Sequence, residues 1–159
     1  MLPIIIPFPQ NGLGRVEFNA HVMTGDRKSL KKVRFKYDSG SDFTTLSCDD
    51  LKRLGYSQEY LKSCPHHEGG ATLAMDENRT PLQYIKNVSI KFGDRELQHC
   101  RVFFALGTTL RSFFGSDILK YFNRSIDYDS GELMLSERKS VPELSTGEVP
   151  IQIYSLEQG

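Results

Sequence analysis

One stretch of the sequence concentrates the residues that could do chemistry. Residues 35–47 are Phe-Lys-Tyr-Asp-Ser-Gly-Ser-Asp-Phe-Thr-Thr-Leu-Ser. An apolar strand there would end at the carboxylate of Asp38, and Ser39, Gly40 and Ser41 follow at once. A glycine allows a sharp turn close to the carboxylate, and nearby amide N–H groups and hydroxyls can hydrogen-bond to it. The pattern therefore predicts a carboxylate held in one orientation at a strand end.

Strands must position this carboxylate. Apolar and polar residues alternate with a period of two over 32–37, directly before Asp38, which is typical of a half-buried strand. Polar residues 76–79 indicate a hairpin between two of the other strands. The remaining strand predictions, in chain order, are 15–23, 71–75, 82–85, 87–92, 97–106, 125–128 and 132–135.

Helices are few and short. Ser47 is a good N-cap with Asp50 at the capping-box position, and Gly55 can end that helix. Residues 57–63 favour another helical turn, and Ser116 can cap a third short helix. Short strands, tight turns and two or three short helices predict an all-β, barrel-like domain.

Composition and charge exclude several classes of function. The chain has 159 residues, which suits one compact domain. It carries 20 Lys and Arg against 20 Asp and Glu, so its formal net charge is zero. No overall positive field would attract nucleic acid or an acidic membrane. We therefore expect no nucleic-acid partner and no membrane partner.

The chain ends and the cysteines bear on the compartment. Residues 1–9 are apolar but lack a basic leader and contain three prolines, so they do not resemble a signal peptide. No apolar run approaches the roughly 20 residues of a membrane span. The three cysteines, Cys48, Cys64 and Cys100, have no framework spacing, which favours free thiols in a reducing compartment. The expected location is cytoplasmic.

Two alternative sites have weaker support in the sequence. Cys64, His66, His67, His99 and Cys100 lack the paired spacing of structural zinc sites, so we expect no metal and no cofactor. A second Asp-Ser-Gly at 129–131 lies between two alternating strands and lacks the hydroxyl-rich continuation of the first. Its composition is typical of a turn.

The order of the motifs resembles that of the retropepsin-like aspartic proteases. Residues 35–47 are similar to the active-site motif of that family, in which apolar residues precede Asp-Thr/Ser-Gly-Ala/Ser and a Thr-rich return follows. Residues 113–119, Phe-Phe-Gly-Ser-Asp-Ile-Leu, look like the segment that opens its C-terminal helix. A predicted hairpin lies between them, where the flap belongs. The resemblance spans Arg15 to Leu135 and implies a single-lobe, retropepsin-like closed barrel.

The resemblance assigns roles to individual residues. Asp38 corresponds to the catalytic aspartate, Ser39 to the hydroxyl residue that helps to lock two active-site loops together, and Gly40 and Ser41 to the rest of the motif. By the same analogy the residues that pack beneath the loop are Phe114 and Gly115. The flap corresponds to part of 69–84, and its tip, which lacks the expected glycines, is placed at Met75, Asp76, Glu77, Asn78 and Arg79.

The resemblance also implies an organisation and an activity. We expect an N-terminal extended segment over 1–14, a retropepsin-like domain over 15–136, and a linker with an extended tail over 137–159, longer than the tail of the viral enzymes. The implied activity is that of an aspartic endopeptidase on a polypeptide substrate, with the second aspartate supplied by a homodimer. Segments 3–8 and 149–154 are candidates for a dimer sheet, and the alternative for 149–154 is binding near the flap as a substrate-like peptide. The alternative is a non-catalytic dimerisation or peptide-binding module of the same fold.

Overall fold

Strands dominate the chain. The computed structural model describes residues 2–10, 15–67, 81–140, 142–144 and 149–156. The all-β prediction is confirmed, because these residues contain nine strands and three short helices. In chain order they are β1 Ile4–Pro7, β2 Glu17–Met23, β3 Leu30–Tyr37, α1 Cys48–Arg53, α2 Gln58–Ser63, β4 Gln83–Phe92, β5 Arg95–Phe104, β6 Phe113–Phe114, α3 Ser116–Leu119, β7 Phe122–Asp127, β8 Glu132–Glu137 and β9 Gln152–Ser155.

Two sheets enclose an aromatic core. One has six strands in the order β6-β3-β2-β4-β5-β9, and the other has three in the order β1-β8-β7. The alternation in β2 and β3 turns Phe18 and Phe35 inward, where they pack with Phe114 and Phe92. The ring of Phe114 lies 5.2 Å from the rings of Phe18 and Phe35, centroid to centroid. The core therefore lies directly behind the end of β3.

The middle of the chain corrects the prediction of separate strands at 82–85 and 87–92. They form one strand, β4, paired with β5 throughout. The register shifts between Ile85 and Val88, and Asn87 between them has φ of 60°. A bulge of this kind inserts an extra residue without ending the strand. Asparagine tolerates the left-handed conformation better than most residues. The polar residue Asn87 therefore fits a bulge within the strand, and no turn forms there.

The helices begin close to the predicted positions. The Ser47 and Ser57 hydroxyls accept hydrogen bonds from the amides of Asp50 and Tyr60 and cap α1 and α2. The predicted cap of α3 was wrong by one residue, since Gly115 is its N-cap and Ser116 is already helical. Among the residues described, no helix is long and apolar enough to cross a membrane.

Both ends of the described chain join the sheets. β1 pairs with β8, which buries Ile4 and Ile6, and β9 pairs with β5. Arg95 is only 2% exposed and connects these parts. Its guanidinium donates to the Leu2 carbonyl at 2.7 Å and pairs with Glu137 at 3.2 Å. The segments predicted as extended thus each contribute a strand.

The second Asp-Ser-Gly forms the turn between β7 and β8, as predicted. Gly131 has φ of 71°, a conformation that glycine adopts without strain. The carboxylate of Asp127 accepts hydrogen bonds from the amides of Ser130 and Asp129. These bonds hold the pKa of Asp127 below its ordinary value. This second Asp-Ser-Gly therefore lies in a turn of the three-stranded sheet and does not follow a strand of the six-stranded sheet.

Candidate active site

Asp38 lies at the end of β3, where the chain leaves the large sheet. Its amide donates to the carbonyl of Phe114 at 3.1 Å and so extends the parallel pairing of β3 with β6 by one residue. The carboxylate is half-buried, and its Oδ1 accepts a hydrogen bond from the Gly40 amide at 3.2 Å. Ser39 and Gly40 are exposed beside it. The loop thus orients a carboxylate that solvent, or a ligand, can still reach.

Gly115 supports this loop from below. The Ser116 amide donates to the Ser41 carbonyl at 2.8 Å, which brings the backbones of the two segments into contact. A Cβ atom on Gly115 would collide with the Phe43 carbonyl and lie 3.0 Å from the Ser41 carbonyl oxygen. Only glycine permits this approach. Phe114 and Gly115 therefore lie directly against the loop that starts at Asp38.

A contact between the buried Thr44 and the half-buried Asp117 joins the same two segments. The Thr44 hydroxyl donates to Asp117 Oδ1 at 2.7 Å and accepts from the Gly115 amide at 3.0 Å. The Thr44 amide donates to Asp117 Oδ2 at 3.0 Å. Sequence analysis missed this pair, which is separated by 73 residues. The sequence offered one signal for it: a threonine shortly after the Asp-Ser-Gly motif and an aspartate in the first turn of α3.

Thr45 continues the connection on the other side of β6. Its amide donates to the Phe113 carbonyl at 2.9 Å, and its carbonyl accepts from the Phe113 amide at 3.1 Å. Its hydroxyl donates to the carbonyl of Arg111 at 2.7 Å. Phe113 is thus held between β3 on one side and Thr45 on the other. The loop that carries Asp38 is fixed at both of its ends by one short strand.

Asp50 acts differently from the predicted capping box. Its carboxylate accepts from the Ser112 hydroxyl at 2.6 Å, and the Ser112 hydroxyl accepts from the Ser47 amide at 2.9 Å. The carboxylate also pairs with Arg53 at 2.7 Å. The cap of α1 therefore includes a side chain from the segment that precedes β6, which ties this helix to the site.

The predicted flap tip, Met75, Asp76, Glu77, Asn78 and Arg79, lies outside the described residues. The chain on either side of that segment is held together, because the His67 amide donates to the Leu82 carbonyl at 3.0 Å. The His67 ring lies 4.8 Å from the ring of Phe43, which follows Asp38 in the loop. Phe43 in turn lies 4.5 Å from Phe103. An aromatic cluster therefore connects the base of the predicted flap to the loop of Asp38.

The metal-ligand candidates are not brought together in the described part of the chain. No three His, Cys, Asp or Glu side chains are grouped there in a way that could hold a metal ion. Cys64 and Cys100 are buried and Cys48 is half-buried, and all three are free thiols. Burial raises the pKa of the Cys100 thiol, and also that of Cys64. These two thiols are therefore poor nucleophiles at neutral pH.

Comparison with solved structures adds a relationship of fold. No protein-family model and no curated protein sequence matches the chain. The EIAV protease complexed with the inhibitor HBY-793 aligns with a TM-score of 0.45 and 18% identity, covering 70% of this chain and 91% of that chain. A retropepsin-like aspartic protease from Rickettsia conorii aligns with a TM-score of 0.60 and 24% identity, covering 84% of this chain and 89% of that chain. The chain therefore has a retropepsin-like fold.

Proposed function

We propose that this chain is an aspartic endopeptidase whose active site forms between two copies. The carrying observation is the placement of Asp38, a half-buried carboxylate oriented by the Gly40 amide at the end of β3, an inner strand of the six-stranded sheet in a retropepsin-like fold. A polypeptide is the substrate, and the segment around Met75 to Arg79 is the proposed flap tip. The similar fold of the retropepsin-like aspartic protease from Rickettsia conorii supports the assignment.

The chemistry requires two carboxylates facing one water molecule. Two such groups in contact cannot both ionise easily, so they share one proton and titrate as a pair. The ionised carboxylate acts as general base on the water, and the protonated one donates to the carbonyl oxygen of the scissile peptide. In this proposal both carboxylates are Asp38, one from each copy related by a two-fold axis.

The surface around Asp38 supports the approach of a second copy. Ser39 is exposed next to the carboxylate, so its hydroxyl is accessible to a facing loop. β1 and β9 are edge strands of their sheets in the described part of the chain, and an edge strand can pair with a strand of another chain. β1 lies within segment 3–8 and β9 overlaps segment 149–154, the two segments expected to join a dimer sheet. The proposed homodimer uses the loop of Asp38 for the active site, and these two edge strands are its candidate sheet contacts.

Cleavage of a peptide library tests the proposal. The wild-type chain is incubated with the library from about pH 4 to pH 7, which includes the pH at which such a carboxylate pair takes up its shared proton. Asp38→Asn should abolish cleavage, whereas Asp129→Asn, the matched change in the second Asp-Ser-Gly, should retain it. Cleavage by Asp38→Asn at the wild-type rate would refute the proposal. Peptide binding without cleavage by the wild type would instead favour the non-catalytic module.

A further inference from the structure

The open face of β3 carries a charge close to Asp38. Phe35 and Phe114 are fully buried on the core side. The amides of Lys36 and Asp38 both donate to the β6 segment, at 3.0 and 3.1 Å, so these two residues point their side chains to the same, opposite face. Their Cα atoms are roughly 6.6 Å apart at the rise of an extended strand. A ligand that reaches Asp38 therefore lies within reach of Lys36.

An aromatic ring completes this surface. Phe113 is paired in register with Lys36 and is also half-buried on the open face. The Lys36 ammonium lies 5.8 Å from the centroid of the Phe113 ring. An apolar ring and a cation thus occur side by side next to the candidate catalytic carboxylate.

Lys36 also lines a cleft of about 440 Å³ formed with residues 47–50 and 108–112. Three of the six charged residues that line this cleft are already paired: Glu17 with Arg34 at 2.8 Å, and Asp50 with Arg53, outside the cleft, at 2.7 Å. Within the described part of the chain, neither the Lys36 nor the Arg111 side chain makes a hydrogen bond or an ion pair. Two cations therefore face one exposed carboxylate, that of Asp49.

We propose that Lys36 and Phe113 form a substrate subsite that selects an acidic side chain, with glutamate favoured, close to the scissile peptide bond. The methylene groups of a glutamate would pack on the Phe113 ring while its carboxylate pairs with the Lys36 ammonium. Arg111 is an exposed residue that lines the same cleft and adds a second positive charge there. This inference rests on the proposed protease function, which supplies the substrate.

Matched peptides that differ only in Glu or Gln test the subsite. A cleaved peptide is scanned with this pair at each position flanking the scissile bond, and kcat/KM is measured near pH 6, where glutamate is ionised. At one position the wild type should prefer Glu over Gln by about fivefold, the scale of a partly exposed ion pair. Lys36→Arg should keep the preference and Lys36→Met should reduce the ratio to about one.

Two further variants make the result specific. Lys36→Glu should lose the preference for Glu and should favour Lys over Gln at the same position. Lys32→Met removes the same side chain from an exposed position four residues earlier in the same strand, and it should keep the wild-type ratio. A wild-type ratio near one, a ratio that survives Lys36→Met, or a ratio lost in Lys32→Met would each overturn the subsite.

A binding measurement separates this inference from the proposed function. The same peptide pairs are titrated into Asp38→Asn with and without Lys36→Met. Tighter binding of the Glu peptide that depends on Lys36, with no cleavage by the wild type, would leave the subsite standing and refute the protease. Cleavage by the wild type without any preference for Glu would support the protease and refute the subsite. Equal binding of both peptides and no cleavage would overturn both proposals.

Discussion

At the scale of single residues, the site depends on contacts with little room for change. Asp38 is oriented through the Gly40 amide, and the loop that carries it lies on Gly115. Thr44 is fully buried and makes hydrogen bonds to both segments. The lack of space at position 115 therefore requires glycine, and the hydrogen bonds around position 44 require a hydroxyl group.

Gly115→Ala should lower the free energy of unfolding by about 1–3 kcal/mol, because the added methyl collides with backbone that cannot move as a side chain would. Urea denaturation measures the change. Gly55→Ala is the comparison: its Cβ would have open space but a φ of 95°, so its effect of about 1 kcal/mol comes from backbone strain alone. A Gly115→Ala chain as stable as the wild type would contradict the close approach.

Thr44→Val keeps the shape of the side chain and removes its hydroxyl. The Gly115 amide and one Asp117 oxygen then lose a buried partner, and the free energy of unfolding should fall by about 1–3 kcal/mol. Thr109→Val, at an exposed threonine, should change it by less than about 0.5 kcal/mol. Equal effects of the two changes in urea denaturation would show that the buried hydroxyl does not support the site.

At the scale of elements, features that depend on residues close together in the sequence could be predicted, and features that depend on distant residues could not. The alternation in β3, the cap Ser47 and the helical turn at 57–63 depend on neighbours in the sequence, and they were predicted. The bulge at Asn87 was not predicted, because only the pairing of β4 with β5 distinguishes a bulge from a turn. The N-cap of α3 moved to Gly115 because Ser116 is held by the distant Ser41 carbonyl.

The candidate site follows the same rule. The placement of Asp38 at a strand end was visible in the sequence, since the apolar strand and the carboxylate are adjacent. The contact of Thr44 with Asp117 spans 73 residues, and many hydroxyl and acidic residues would have fitted the pattern equally well. Tertiary packing decides which of these residues meet, and the pattern of residue types along one sequence does not identify the pair.

Arg95 connects elements that are distant in the chain. Its guanidinium bonds to the Leu2 carbonyl beside β1 and to Glu137 at the end of β8. Arg95→Met should lower the free energy of unfolding by about 2 kcal/mol and increase amide hydrogen exchange in β1. Arg34→Met removes an ion pair whose arginine is largely exposed, and it should lower the free energy of unfolding by less than about 1 kcal/mol. Unchanged exchange in β1 after Arg95→Met would contradict this anchoring role.

At the scale of the whole molecule, the two Asp-Ser-Gly tripeptides lie in different surroundings. Asp38 ends a strand of the six-stranded sheet, whereas Asp129 lies in a turn of the three-stranded sheet. The second tripeptide is therefore unsuited to supply the partner carboxylate. A net charge of zero and the exposed edges of β1 and β9 are compatible with association of two copies. In this account one chain carries half of an active site.

The most direct test mixes the wild type with Asp38→Asn at a fixed total concentration and measures peptide cleavage after subunit exchange. If both carboxylates of a dimer are needed, activity follows the square of the wild-type fraction, and an equal mixture retains about one quarter of full activity. Asp129→Asn in place of Asp38→Asn should leave full activity. Activity that falls in proportion to the wild-type fraction, to about half in the equal mixture, would show that each chain works alone and would contradict the shared site.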